Sequence, residues 1–231
     1  EPQQETEGLS RVIKLDYRLK AVADCVPECG TVADIGSDHG MLPCFLLLEG
    51  RAKRAVITDI SRKSLEKAKS LANSLGIEDK AAFYCTDGFS AVEEKIDCAV
   101  IAGMGAVEMM SILQGAPPDT DFFVLQPMRN APQLRKFLED NGFFIEIDRK
   151  IHCKGKFYDI IRSRRGKDRL TQEELLFGRT NLIEKGEAFT AFLERESKMA
   201  LSILKKLKEG DVRRGQLEDR LKLIEGVLNS R

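Results

Sequence analysis

The apolar positions along the first 165 residues follow two alternating patterns. Short runs of apolar and β-branched residues predict strands at 31–35, 54–59, 81–86, 97–102 and 122–126. Segments in which apolar residues recur every three or four positions predict helices at 41–49, 62–75, 107–113 and 133–141, each closely followed by a glycine. Because strands and helices alternate, we predict an α/β fold with a doubly wound, mainly parallel, Rossmann-like sheet.

Three further patterns complete the predicted architecture. Helical spacing at 9–26 predicts a helix laid against the sheet, and strands at 143–149 and 157–162 predict a closing antiparallel hairpin around Gly155. Thr171 and Glu174 have the spacing of a capping box. The following apolar positions predict a helical hairpin or coiled coil, interrupted at 209–211; they are Leu182, Phe189, Leu193, Ala200, Ile203, Leu207, Leu217, Leu221, Ile224 and Leu228. We therefore predict two domains, 1–166 and 167–231.

Composition limits the class of protein without naming a function. The chain has 231 residues, of which 32% are charged and 42% hydrophobic, an ordinary composition for a globular protein. Six cysteines without a C-x-x-C pair, with only two histidines, argue against zinc and against a disulfide framework. Cys85 and Cys98 are predicted to be small buried residues. We expect no metal, no membrane partner and a cytoplasmic location, since no apolar run approaches the roughly 20 residues of a membrane span and the first residues lack a signal-peptide pattern.

The loop after the first predicted strand carries the most specific chemistry. Asp34 ends the strand, Gly36 and Gly40 bound a short loop, and an apolar helix follows. A strand, a glycine loop and a helix present backbone N–H groups to a ligand. A carboxylate beside the glycines would repel a phosphate. It favours a ligand with a positive charge or hydroxyl groups, such as the amino acid end of S-adenosylmethionine (SAM).

Two alternatives compete for this loop. A dinucleotide fold requires G-x-G-x-x-G after the strand, whereas the spacing here is Gly36-x-x-x-Gly40. An ordinary turn would explain a single D-x-G. Asp59 ends the second predicted strand, where an acid binds ribose hydroxyls in NAD and SAM enzymes alike. The strand, the glycine loop and the acid at the end of the second strand together favour a nucleoside-binding site over an ordinary turn.

Three more segments follow predicted strands at the same edge of the sheet, where ligands of such folds bind. Asp87 can accept a hydrogen bond from an exocyclic amine such as adenine N6, and Gly88 lets the adenine ring approach the backbone. The alternative is that Asp87 and Gly88 form an ordinary Asp-Gly turn. The glycines of 102–105 admit a flat substrate or form a tight turn. Segment 126–130 offers amide and guanidinium groups to a base edge, or is a polar helix start with Asn130 as its cap.

In these motifs the chain resembles the bacterial tRNA (adenine-22-N1)-methyltransferases, the TrmK family. The motifs are Leu15-x-x-Arg18-Leu19, DIGSDHG with Leu42-Pro43, Asp59, Asp87-Gly88, GMG, and Lys156-x-Tyr158-x-Ile160-Ile161. The resemblance covers nearly the whole chain. It implies a class I SAM-dependent methyltransferase domain followed by a helical, coiled-coil-like domain, with SAM as the cofactor and tRNA as the partner. A monomer is compatible with the sequence.

The resemblance also implies roles for individual residues. The Gly36 loop would hold the methionine end of SAM, Asp59 the ribose and Asp87 the adenine, while Asp38 and His39 would face the methyl-transfer site as candidate catalytic residues. The expected cofactor-binding residues are Asp34, Gly36, Ser37, Gly40, Asp59, Ile60, Asp87, Gly88, Ala102 and Gly103. The expected substrate-binding residues are Arg18, Met104, Gly105, Arg129, Asn130, Lys156 and Tyr158.

Adenine chemistry makes modest demands on these residues. N1 is nucleophilic through its lone pair, so orientation supplies much of the rate. Asp38 or His39 would take the proton lost after methylation. The alternative, which we favour from the sequence, is that Asp38 caps a loop N–H and His39 packs over the cofactor.

The C-terminal segment is a candidate for RNA contact. From Arg164 onward there are sixteen basic and twelve acidic residues. A base inside folded tRNA must be turned out to be methylated, and basic residues would then contact the backbone. The candidates are Lys205, Lys206, Lys208, Arg213 and Arg214. A solvated helix face is the alternative.

Departures from the family pattern keep other hypotheses open. The family often has Ser at the position of Asp16, Gly at that of Ala106 and Asn at that of Met128. These differences favour, as an alternative, a SAM-dependent enzyme acting on a small molecule or a protein. A third hypothesis is a non-catalytic RNA-binding or assembly protein that uses the C-terminal helices.

Overall fold

A seven-stranded sheet forms the centre of the computed structural model, which describes residues 13–208 and 211–230. The strands are β1 (Cys29–Ile35), β2 (Ala52–Asp59), β3 (Ala81–Cys85), β4 (Cys98–Met104), β5 (Phe122–Pro127), β6 (Phe143–Cys153) and β7 (Lys156–Arg165). The helices around the sheet are α1 (Tyr17–Cys25), α2 (Met41–Leu48), α3 (Arg62–Leu75), α4 (Ala106–Gln114) and α5 (Ala131–Asp140). The helices of the tail are α6 (Gln172–Phe177), α7 (Arg179–Glu184), α8 (Glu187–Leu204) and α9 (Val212–Asn229).

The strand order is β3-β2-β1-β4-β5-β7-β6. The first five strands pair in parallel, and β7 lies antiparallel between β5 and β6. The predicted fold class, a mainly parallel doubly wound sheet closed by an antiparallel hairpin, is confirmed. The chain reverses its winding between β1 and β4, so the carboxyl ends of these strands form the crevice in which such sheets bind ligands.

Two apolar layers cover the sheet. One packs α1, α2 and α3 against one face through residues such as Val22, Leu46 and Leu65. The other packs α4 and α5 against the opposite face through residues such as Met109 and Leu134. Strands buried on both faces read as continuous apolar runs, which explains why β1, β2, β4 and β5 were predictable from sequence. The edge strand β3 is only partly buried.

Helix α1 is shorter than predicted. It begins at Tyr17 because the Asp16 carboxylate accepts a hydrogen bond from the Leu19 N–H and the Asp16 backbone is extended. Residues 13–16 are not helical, which corrects the prediction of a helix from position 9. Residues 9–12 lie outside the described part of the chain.

The hairpin of β6 and β7 is longer than predicted. Its turn consists of Lys154 and Gly155, both with positive φ (50° and 74°), the two-residue geometry that suits the twist of a hairpin. Leu125 of β5 pairs with Ile161 of β7, and β5 ends at Pro127. In this antiparallel register Pro127 lies opposite Asp159, so the part of β7 before Asp159 extends beyond the carboxyl end of β5.

The tail helices α6 and α7 dock on the sheet domain through a buried ion network. Arg135 of α5 is 1% exposed, donates to both oxygens of Asp148 (2.6 and 2.8 Å) and also donates to Asp159 (2.9 Å). It further donates to the carbonyls of Leu175 and Leu176 in α6. The predicted capping box of α6 is confirmed. A separate domain from residue 167 onward remains a prediction.

Helices α8 and α9 form an antiparallel pair around Phe189, Leu193, Ile224 and Val227. Two of the residues predicted to pack are exposed instead: Ile203 is 42% and Leu228 is 37% exposed. Val227 is buried next to the exposed Leu228, because the 3.6-residue period drifts from the strict heptad. Residues 209 and 210 of the predicted break lie outside the described residues.

The cysteines correct one further prediction. Cys98 is buried as expected, but Cys85 is exposed because it occupies the last position of the edge strand β3. All six cysteines are free thiols.

Candidate active site

The loop between β1 and α2 is held in place by the end of β2. The N–H groups of Gly36 and Ser37 both donate to the carbonyl of Thr58 at 2.9 Å. Asp59 continues this contact, because one of its carboxylate oxygens accepts from the Asp38 N–H (3.0 Å) and the other from the Ser61 N–H (2.8 Å). A carboxylate that accepts two backbone donors fixes both loops. Asp59 thus organises the crevice as well as lining it.

Asp34 is the buried acid of this loop. Its side chain is 5% exposed, and it accepts a hydrogen bond from the Ser37 hydroxyl. Burial raises the pKa of Asp34 from 3.8 to about 6, the Ser37 hydrogen bond opposes this rise, and the negative charge of Asp59 adds to it. A cation placed beside Asp34 would favour its ionised form.

A cavity of about 950 Å³ opens across the carboxyl ends of the parallel strands. It is lined by Ile35, Gly36, Asp59, Ile60, Thr86, Asp87, Gly88, Met104, Gly105, Ala106, Val107, Glu108, Ser111, Ile112, Arg129 and Asn130. This lining combines acids that end or follow β2 and β3, Asp59 and Asp87, with the exposed apolar side chains of Ile60 and Val107. Such a lining suits a nucleoside, which offers hydroxyls to carboxylates and a flat ring to apolar groups.

A smaller cavity of about 140 Å³ adjoins the first at Gly36. Its lining consists of Arg18, Leu19, Asp34, Gly36, Ser37, Asp38, His39, Met41, Leu42 and Ala102. Gly36 has φ +72°, and a Cβ atom there would lie 2.0 Å from the methyl carbon of Met104. Glycine at the residue that both cavities share therefore lets the Met104 methyl group lie against the loop.

Asp38 and His39 lie on the outer side of the loop. Asp38 is a non-glycine residue in the left-handed region (φ 53°), and its carboxylate lies 2.9 Å from Nδ1 of His39. The Nζ atom of Lys67 lies 2.8 Å from Nε2 of His39. Because an ammonium can only donate, Nε2 accepts and the remaining ring proton is assigned to Nδ1, which donates to Asp38.

A second polar contact lies on the opposite wall of the smaller cavity. Arg18 of α1 donates to the side-chain oxygen of Gln126 at 2.5 Å, and Gln126 is fully buried. The side-chain nitrogen of Gln126 donates to the carbonyl of Pro127 at 3.1 Å. The Arg18 guanidinium lies 3.9 Å from where a Cβ of Gly103 would be. Helix α1 is thereby joined to the end of β5 and lies close to the end of β4.

The structure brings most of the predicted site residues to these two cavities. Four do not line either of them: Gly40, Gly103, Lys156 and Tyr158. Gly40 instead packs against Ala68 of α3, and Lys156 and Tyr158 lie on the overhanging part of β7. Asn130 is the cap position of α5, but its side chain makes no capping hydrogen bond, which corrects that alternative. It lines the large cavity instead.

Sequence reasoning missed the contribution of helix α4 to the large cavity. Glu108, Ser111 and Ile112 line it, at the spacing of one helix face. The sequence carried no signal for this, because packing sets which side of α4 faces the crevice. Thr86, which the sequence predicts only as the end of a strand, also lines this cavity.

Two absences hold for residues 13–208 and 211–230. None of these helices is long and apolar enough to cross a membrane. Nor does any group of three or more His, Cys, Asp or Glu side chains there have metal-binding geometry.

Comparison with known proteins gives consistent matches. Residues 15–161 match the family described as "Methyltransferase domain". The chain is 32% identical over 169 residues to a "Putative tRNA methyltransferase" of Mycoplasma pneumoniae, covering 70% of this chain and 78% of that protein. It is 28% identical over 158 residues to the tRNA (adenine(22)-N(1))-methyltransferase of Bacillus subtilis. That alignment covers 67% of this chain and 66% of the Bacillus enzyme, just under two thirds of its length.

A solved structure extends the match to nearly the whole chain. Sp1610 of Streptococcus pneumoniae, described as "a putative tRNA (m1A22) methyltransferase", superposes with a TM-score of 0.89 at 27% identity, over 94% of this chain and 100% of that one. The same protein in complex with S-adenosyl-L-methionine superposes with a TM-score of 0.85. The similarity thus includes the tail helices.

Proposed function

The chain belongs to the TrmK-like family of class I SAM-dependent methyltransferases, and from this premise we propose that it methylates N1 of adenine 22 in bacterial tRNA. The observation that carries the proposal is the junction at Gly36. There a cavity large enough for a nucleoside meets a smaller one bordered by Asp34, Asp38 and His39. A methyl donor that spans the junction would present its reactive group beside the candidate catalytic side chains.

The residues at the junction fit SAM. We propose that Asp59 binds the ribose hydroxyls and Asp87 the adenine amine, since both line the large cavity. Asp34 would pair with the amino acid end, because a buried carboxylate suits an ammonium group. The remaining proposed contacts all line the two cavities: Gly36, Ser37, Ile60, Gly88 and Ala102. Gly40 and Gly103 line neither cavity and are not proposed as contacts. When bound, SAM supplies a methyl group carried on a positively charged sulfur.

The acceptor side is formed by the loops after β4 and β5. We propose that Met104, Gly105, Arg129 and Asn130 hold the target adenine, because they line the large cavity on the side of α4 and α5. Arg18, fixed by Gln126, would contact the same nucleotide from α1. Lys156 and Tyr158 would contact RNA from the overhanging hairpin. Orientation of N1 toward the methyl group is the main requirement, since N1 carries its own lone pair.

The hydrogen bonds of His39 favour Asp38 as the proton acceptor. Lys67 occupies Nε2 of His39, and the Nδ1 proton points to Asp38. One Asp38 oxygen accepts the hydrogen bond from Nδ1 of His39. The other oxygen lies 3.4 Å from the Ser64 hydroxyl, which is a weak contact. Asp38 is also exposed and lines the smaller cavity. We propose that Asp38 takes the proton released after methylation and that His39 orients it.

We propose that the tRNA backbone reaches the tail. Lys205, Lys206, Lys208 and Arg213 are exposed on α9 and on the segment after α8. They would contribute salt-dependent, sequence-independent affinity. The protein would act in the cytoplasm, where bacterial tRNA is modified.

Methyl transfer to an unmodified tRNA pool tests the proposal. The protein is incubated with methyl-labelled SAM and bacterial tRNA, and the labelled nucleoside is mapped. We expect label on N1 of adenine 22. SAM binding without transfer to any tRNA would refute the proposal, and transfer to a metabolite or protein would favour the alternative substrate class.

A further inference from the structure

An open apolar groove of about 710 Å³ lies outside the two cavities, between the segment before α1 and helix α3. Its apolar surface comes from Ile13, Met41, Leu71 and Leu75, and its polar groups are Lys14, Lys67 and His39. His39 and Met41 also line the smaller cavity at Gly36. The groove is therefore continuous with the loop that we place at the methyl-transfer site.

The charge of the groove is positive. Helix α3 carries four basic residues (Arg62, Lys63, Lys67, Lys69) and one acidic residue (Glu66). Lys14 adds a further exposed positive charge on the facing wall. The charged side chains that line the large cavity are, by contrast, mainly acidic: Asp59, Asp87 and Glu108 against one base, Arg129. The two sides of the Gly36 loop thus differ in charge, and only the groove suits a polyanion.

We propose that this groove holds the RNA strand adjacent to the target nucleotide, with one neighbouring base on Met41 and Leu71 and its phosphates on Lys14 and Lys67. This proposal rests on the proposed function. Bases in single-stranded or splayed RNA pack on apolar and aromatic surfaces, and lysines contact phosphates as point charges. Met41 is 37% exposed at the start of α2, so its side chain is accessible to such a base.

Lys67 would then have two partners. Without RNA its ammonium donates to Nε2 of His39. A phosphate in the groove would compete for the same ammonium, and Lys67 can serve both because it has three donors. The target base and its neighbour would in this way be held by the same loop, which couples the entry of the strand to the placement of the adenine.

The test compares two double variants in steady-state methylation of the tRNA. Lys14→Ala/Lys67→Ala removes both groove charges. Lys53→Ala/Lys80→Ala removes two exposed lysines where β2 and β3 begin, at the opposite edge of the sheet, and serves as the matched control. We expect the groove variant to raise KM for tRNA on the order of tenfold and to leave the Kd for SAM unchanged. The slope of log affinity against log salt should fall by about 1.4, or roughly 0.7 for each lost phosphate contact with single-stranded RNA.

If the two double variants had equal KM values and equal salt slopes, the groove proposal would be overturned. Methylation of tRNA by the wild type would still uphold the proposed function. No methylation by the wild type would instead refute the proposed function.

The single variant Lys14→Ala separates an effect on RNA binding from an effect on His39, because of the two lysines only Lys67 contacts His39. We expect Lys14→Ala to raise KM for tRNA with kcat unchanged. The groove variant with both lysines replaced by arginine should recover KM.

A photo-crosslink on the wild-type protein gives a readout that does not depend on variants. A tRNA carrying 4-thiouridine next to position 22 is irradiated with the enzyme, and the linked peptides are identified. We expect linkage to residues 38–41 or to α3. Linkage only to α8 and α9 would contradict the proposal.

Discussion

A Cβ atom at Gly36 would lie 2.0 Å from the methyl carbon of Met104, so the loop after β1 and the loop after β4 meet with no room for a side chain. Gly36 also has φ +72°, where an L-residue is strained by about 1–2 kcal/mol. Gly36 lines both cavities, so this contact lies where they meet.

Gly36→Ala should weaken SAM binding at least tenfold, because the new methyl group pushes the flexible end of Met104 into the cavity. Gly50→Ala is the control: it has a similar φ (+68°) and nothing within 4 Å of its Cβ. Calorimetric titration with SAM should show a weaker Kd for Gly36→Ala alone, and Met104→Ala should partly restore it. Equal affinities for the two alanine variants would disprove the steric account.

Asp59→Ala should abolish the thermal shift produced by SAM. The change removes the proposed ribose contact and also leaves the N–H groups of Asp38 and Ser61 without their acceptor, which costs about 1–3 kcal/mol of stability. Asp79→Ala removes an exposed acid at the opposite edge of the sheet and should keep the full shift. A SAM-dependent rise in Tm that survived in Asp59→Ala would show that the cofactor assignment is wrong.

Asp38→Asn should lower kcat by about a hundredfold, the lower end of the range for loss of a general base, with little change in the Kd for SAM. Asparagine tolerates the left-handed backbone at this position and retains the N–H that donates to Asp59. Ser64→Ala, which removes a neighbour at 3.4 Å from the same carboxylate, is the control. Steady-state turnover is the measurement, because the proposed proton transfer follows methyl transfer, and an unchanged kcat would return Asp38 to a purely structural role.

The pKa of Asp34 predicts a pH dependence of stability. Because the folded-state pKa is about 6 and the ordinary value is 3.8, the folded protein binds the proton more tightly than the unfolded chain. The stabilisation is fully present below pH 4 and is lost as the pH rises through 6, by about 3 kcal/mol in total. Asp34→Asn lacks this titration. The stability of the wild type relative to Asp34→Asn, from urea unfolding, should therefore fall between pH 4 and 7; a constant difference would contradict the assignment.

Arg135→Met should destabilise the protein by about 3–5 kcal/mol, because it leaves the Asp148 carboxylate buried at 1% exposure without its partner. Lys136→Ala breaks an exposed pair on the same helix and should cost at most about 1 kcal/mol. Urea unfolding gives both values. A double change, Arg135→Met with Asp148→Leu, should recover much of the loss, and a loss no larger than that of Lys136→Ala would show that the network does not anchor the tail.

The sequence predicted the parallel sheet well because its inner strands β1, β2, β4 and β5 carry runs of buried apolar residues. The start of α1 was missed, since the apolar spacing before Tyr17 outweighed the capping signal of Asp16. The length of the hairpin was missed because β6 and β7 alternate polar and apolar residues beyond the predicted ends. In both cases a local polar signal set the boundary that the apolar pattern had placed elsewhere.

The candidate site was predictable where a motif directly follows a strand, as at Gly36, Asp59 and Asp87. It was not predictable where two distant segments meet. The contact of Lys67 with His39 and that of Arg18 with Gln126 join residues far apart in sequence. Predicting which side of α4 faces the cavity would have required knowing that Gly105 caps the start of the helix. These relationships depend on packing, and no spacing rule specifies them.

The most direct test of the central claim uses two tRNA transcripts that differ only at position 22, one with adenine and one with guanine. Each is incubated with the wild-type protein and methyl-labelled SAM, and the product nucleosides are mapped. The account predicts N1-methyladenosine at position 22 of the first transcript and no label in the second. Equal labelling of both transcripts, or none in either while SAM binds, would contradict it.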